Sequence, residues 1–351
     1  MKRIKLLCIS GFIISISACQ SDGQRDDNLI SVGSGQMPSL LTTENKKIHL
    51  VYGSGDSILY VSSPDKGRTF SKPSLIAVLP DLVSSHTRGP QIASGSGRIT
   101  VTACVGSGNI YAFSKGLDDN WSKRVRVNDI DTVAKEGLMA LSGDGNRLFA
   151  VWLDLRNKHN QIYGSLSLDG GLTWTANQLI YASIDSTVCE CCKPSVLVKR
   201  NNVNVMFRNW IDGNRDMYLI QSVNGGKTFM EARKLGMESW KLKGCPMDGG
   251  GLAIRGAGIQ SFWRRGDKLF LCEPGKAEMV IATGKGGVMD SNNEKNVYSW
   301  IENGEVIFST SDNERRVIGR GGSPAIKVID ENSFVVAWEQ DKTIKAKVVN
   351  L

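Results

Sequence analysis

The chain has 351 residues, of which 41% are hydrophobic and 22% charged, and its formal net charge is +8. That apolar content excludes a disordered or collagen-like chain. The basic excess is modest and lacks a dense Lys/Arg run interleaved with aromatics, so no nucleic-acid partner is expected.

The first elements concern export. Lys2, Arg3 and Lys5 form a positive region, and Leu6 to Ile16 form an apolar stretch too short to remain as a spanning helix. The sequence from Ile16 to Cys19 (ISAC) then resembles the lipobox of bacterial lipoproteins. This implies a signal peptide over 1–18, lipidation at Cys19, and attachment to a membrane through that lipid. Gln20 at the next position implies the outer membrane of a bacterial envelope. The polar run over 19–28 is expected to be a tether. No later segment is apolar for long enough to cross a bilayer.

From residue 29 onward the chain reads as short strands separated by turns. One octet pattern recurs three times: Ser63 to Phe70 (SPDKGRTF), Ser167 to Trp174 (SLDGGLTW) and Ser222 to Phe229 (SVNGGKTF). Each copy follows a short alternating apolar strand and precedes another. Asp or Asn can bond its own backbone there, and Gly tolerates positive φ, as a hairpin turn requires. The spacing fits a repeat of four-stranded units of about fifty residues.

These octets resemble the Asp boxes, or bacterial neuraminidase repeats, of sialidase-like β-propellers. The resemblance implies an all-β propeller over 29–351 and a structural role for the boxes, so no chemistry is assigned to Asp65, Asp169 or Asn224. Seven units can be counted, although six result if the last two are parts of one blade. The seventh stops after three strands. Leu29 to Val32 (LISV) is expected to supply the fourth and close the ring. A monomer is expected.

In such a blade, the loops leading into the first strand (A) and those joining the second and third (B and C) share one end. The B strands finish near Trp152, Trp210, Trp263, Trp300 and Trp338, which are expected to wedge between blades. Beyond them lie Arg156, Arg208, Arg215 and Arg264, and the other loops add His86, Arg88, Lys193 and Arg320. Guanidinium forks pair with carboxylates in a bidentate manner, so this end suits an acidic small molecule or acidic glycan. The bland alternative is that half of these arginines bridge to Asp154, Asp212, Asp216 or Asp267 between blades.

The resemblance to sialidases also implies a hydrolytic set: three arginines, a Tyr paired with Glu, and an Asp. Glu136, Asp248 and Tyr298 are the candidates for exo-glycosidase chemistry, with Arg88, in a partial match to the arginine motif of that family, among the ligand-binding arginines. No motif fixes their roles. The two carboxylates' separation cannot be read from the chain.

The remaining feature is a cysteine cluster. Cys189, Cys191 and Cys192 (CECCKP) lead into the fourth unit, and Cys245 (GCPMD) leads into the fifth. This resembles a subset of neuraminidase-repeat proteins with CxCC and GCP loops. Three readings stay open: disulfides suited to an oxidising envelope, a zinc or copper site with Met247 or His86 nearby, and a reactive redox thiol. Because Cys191 and Cys192 are adjacent, one of them is expected to bond elsewhere, for example to Cys245. Cys104 and Cys272 are expected to be buried and unpaired. A protein-interaction scaffold is the third functional class.

Overall fold

The computed structural model describes residues 29–351 except 117, 293 and 313. The expected signal, tether and Cys19 therefore lie outside the described residues. Among the described residues no helix is long and apolar enough to cross a membrane.

Seven four-stranded antiparallel sheets follow one another around a ring. Strand A is Gln36–Thr42 in blade 1, Gln91–Gly95 in blade 2 and Met139–Asp144 in blade 3. It is Ser195–Lys199, Gly250–Arg255, Lys285–Ser291 and Gly322–Val328 in blades 4 to 7. Strand D of blade 7 comes from the start of the domain. Leu29–Ser34 pairs antiparallel with Thr343–Asn350, with Leu29 opposite Lys347. This pairing shields an edge that would otherwise offer unpaired backbone groups to other chains.

Among the described residues there is no single central core. Seven apolar clusters each join two adjacent blades, so burial is distributed around the ring. The B strands explain why: Ile48–Ser54 and Asn296–Glu302 are buried at nearly every position because both faces meet another sheet. Trp152, Trp300 and Trp338 are among the largest fully buried side chains, in keeping with wedges between blades.

The three octets make the same turn at the end opposite the cysteine loops. The serine Oγ accepts the amide of the second glycine position at 2.7, 2.8 and 3.0 Å for Gly67, Gly171 and Gly226. Asp65, Asp169 or Asn224 accepts the amide of the following threonine at 2.9–3.0 Å. These glycines have φ of 84–87°. Each also docks on the preceding blade: a Cβ would lie 2.5 Å from Val348, Thr100 and Phe149 respectively. The octet therefore both turns the chain and seats it against its neighbour.

Candidate functional site

The loops into strand A and the B-to-C loops share one end. In blades 2 to 5 they bring charged side chains together in two groups. Arg88 Nη2 lies 3.7 Å from Glu136 Oε2, linking the loops before blades 2 and 3. Burial raises the Glu136 carboxyl above the usual range, and the Arg88 charge opposes this less strongly. Arg208, only 2% exposed, donates to the carbonyls of Arg215 at 2.7 Å and Arg264 at 2.8 Å. Arg264 donates to Asp248 Oδ2 at 2.6 Å and to the Pro246 carbonyl.

Several of the arginines expected to meet a ligand are committed within the protein. Arg156 is bonded to Asp154 at 2.9 Å and stacks over Tyr163 in blade 3. Arg264 and Asp248 neutralise each other, and the Asp248 carboxylate also accepts the Gly249 and Gly286 amides. Arg320 is exposed at the end of strand D in blade 6, outside these groups. Glu136 pairs with Arg88 and Asp248 with Arg264, while Tyr298 lies in the packing. It is 1% exposed, its ring packs on Phe262, and its hydroxyl accepts from Asn296 Nδ2 at 3.0 Å. A tyrosine enclosed between two blades cannot reach a substrate in the channel.

Inside the ring of A strands lies a depression of about 720 Å³. Its mouth carries His86, Lys193, Arg264 and Lys285. Lys193 is the informative one. Its ammonium donates to Gln91 Oε1 at 2.7 Å, and the Gln91 amide nitrogen is held by the Gly89 and Pro90 carbonyls. Among the described residues no carboxylate lies within ion-pair distance of it. Desolvation therefore lowers its pKa to about 8. Gln91 was not among the candidates read from the sequence. The available signal was its place at the start of strand A, directly after Gly89 and Pro90.

The cysteines do come together. Cys191 and Cys245 form a disulfide joining the loops before blades 4 and 5. Cys189, Cys191 and Cys192 have sulfurs within 4.8 Å of one another, and His86 is not part of that group. Cys189 and Cys192 are free and buried, as are Cys104 and Cys272. Arg215 Nη1 donates to Cys189 Sγ at 3.0 Å. The hydrogen bond it shares with Cys192, and then the Arg215 charge, hold Cys189 well below the usual thiol range despite its burial. Burial pushes Cys192 up. With Cys191 tied to Cys245, two thiols remain, short of the four ligands of a structural zinc site.

No protein-family model matches the chain, and no curated protein matches it in sequence. Solved structures do. The BP39L lectin of Burkholderia pseudomallei aligns over 91% of this chain and 96% of its own, with TM-score 0.65 and 10% identity. The GH93 α-L-arabinofuranosidase of Fusarium graminearum aligns over 92% and 98%, with TM-score 0.52 and 11% identity. A sialidase of Streptococcus pneumoniae aligns over 92% and 70%, with TM-score 0.46 and 12% identity. The chain is a β-propeller. At these identities the likeness is one of architecture.

Proposed function

We propose that this protein is an exported, lipid-anchored propeller that binds an acidic small molecule or acidic glycan residue in the mouth of its channel. Lys193 is the cation that meets the ligand's carboxylate. The observation that carries this reading is the placement of Lys193: a desolvated ammonium lining an open depression, held by an amide and lacking a counter-ion. A half-buried charge that has an amide but no counter-ion is under-compensated, and an anion from solution relieves that cost. The lectin and glycosidase among the similar structures agree with a carbohydrate ligand. Binding without hydrolysis fits best, since Tyr298 is enclosed and Asp248 is held by Arg264.

Calorimetric titration tests this with N-acetylneuraminic, glucuronic and galacturonic acids against neutral N-acetylglucosamine. At least one acidic sugar should bind and the neutral one should not. Lys193→Met should lose about tenfold or more in affinity, the worth of a charge-assisted hydrogen bond. Equal binding of neutral sugar, or an unchanged Lys193→Met, overturns the reading.

A further inference from the structure

The cysteine cluster lies beside the channel mouth, yet sugar binding makes no use of it. Its sulfurs are layered by depth. Cys245 is exposed, Cys191 is half-buried, and Cys189 and Cys192 are 1% and 2% exposed. Cys189 Sγ stands 3.7 Å from Cys191 Sγ and 3.4 Å from Cys192 Sγ. Behind them lie Arg208 and Arg215, both buried, and among the described residues neither has a carboxylate within ion-pair distance. Two buried guanidinium groups, of which Arg215 has its Nη1 3.0 Å from Cys189 Sγ, favour a thiolate as counter-charge. A purely structural staple needs only Cys191 and Cys245. It does not explain a second thiol pair stacked behind the bond with cations to activate it.

We propose that Cys189, Cys191, Cys192 and Cys245 form a two-stage disulfide relay that exchanges with a dithiol partner at the rim and stores the disulfide in the buried pair. This is independent of the sugar-binding reading. In the internal stage the Cys189 thiolate attacks Cys191 Sγ, the Cys191–Cys245 bond breaks, and Cys245 leaves as thiolate and takes up the proton lost from Cys189. Cys192 then attacks Cys189 Sγ as its proton passes to Cys191, which is released as a thiol. One disulfide and two thiols exist before and after, so no outside oxidant is needed.

In the external stage the internal exchange runs backwards to re-form Cys191–Cys245, and a partner thiolate then attacks exposed Cys245 Sγ, releasing Cys191. The partner's second thiol then attacks the mixed disulfide and releases Cys245. The partner leaves oxidised, and two electrons with two protons reside on Cys191 and Cys245.

The test equilibrates the mature protein in buffers of reduced and oxidised dithiothreitol, quenches with acid, alkylates the free thiols and maps peptides by mass spectrometry. Two successive two-electron transitions are expected, with a Cys189–Cys192 disulfide populated in the more oxidising buffers. Cys192→Ser should show one transition and trap a Cys189–Cys191 bond, while Cys104→Ser and Cys272→Ser leave the pattern unchanged. Arg215→Met should slow alkylation of Cys189 at pH 7 by about tenfold. If Cys192→Ser fails to fold, the wild-type map decides alone. The proposal is overturned if Cys189 and Cys192 remain reduced in every buffer while Cys191–Cys245 alone titrates. It is equally overturned if purified protein carries one zinc or copper per chain on four reduced thiols.

Discussion

Arg264 Nε lies 2.6 Å from Asp248 Oδ2, joining the end of strand B in blade 5 to the loop that leads into strand A of the same blade. Both groups lie largely out of water, and the carboxylate also accepts two backbone amides. Asp248→Asn therefore leaves a mostly buried guanidinium without its counter-charge and should lower unfolding free energy by about 2–4 kcal/mol. Urea denaturation reads this. Adding Arg264→Met should recover part of the loss, and strict additivity of the two substitutions would argue against a coupled pair.

The octet glycines give a second expectation. Gly226→Ala must adopt φ of 87° and place a Cβ 2.5 Å from the Phe149 ring in blade 3. Gly275→Ala has φ of 79° with open space around its Cβ. The latter should cost only the backbone strain, about 1 kcal/mol, and Gly226→Ala roughly 2 kcal/mol more. Equal losses in thermal or urea unfolding would show that the inter-blade contact contributes little.

His49 supplies an acid-sensitive element. It is 3% exposed, and its Nδ1 lies 2.6 Å from the Tyr60 hydroxyl. Burial, reinforced by Lys47 and Lys115, lowers its pKa from 6.5 to about 4. The unfolded chain therefore binds a proton between these values that the folded protein refuses. This contribution to stability is full above about 6.5 and is lost as pH falls towards 4, with an upper size on the order of 3 kcal/mol. His49→Gln should flatten the stability profile between pH 6.5 and 4. An unchanged slope would assign that acid sensitivity to other groups.

Ring closure can be tested by deletion. Removing the Leu29–Ser34 strand bares the edge of Thr343–Asn350 from Thr343 to Lys347. The shortened protein should melt at lower temperature and self-associate on size-exclusion chromatography, as exposed edges do. A monomer with unchanged melting would mean that the seventh blade is stable with three strands.

The architecture was legible because a blade leaves local marks: the octets at the turns, a tryptophan near the end of most B strands, and the lone LISV segment that the last unit needed. The end on which loops gather follows from strand order alone, so the approach of Arg88 to Glu136 and of Arg208 to Arg264 could be expected from topology. Partnership could not. Whether Arg156 meets a ligand or Asp154 depends on angstrom-scale geometry, and both fit the same residue pattern. Tyr298 shows a different limit. Its strand is buried on both faces, so alternation cannot say which side chains approach the channel. Lys193 was placed on that end from the sequence, but its lack of a counter-ion depends on the geometry of several loops at once.

The charge state of Lys193 offers the most direct test of the ligand site. If a desolvated Lys193 with a pKa of about 8 receives the anion, affinity for the acidic sugar should be constant below that pH. It should then fall by up to tenfold per unit above it, as the free protein loses the proton. Lys193→Met should bind weakly and show no such break. Wild-type affinity that stays level to pH 10, or the same break in Lys193→Met, would contradict the account.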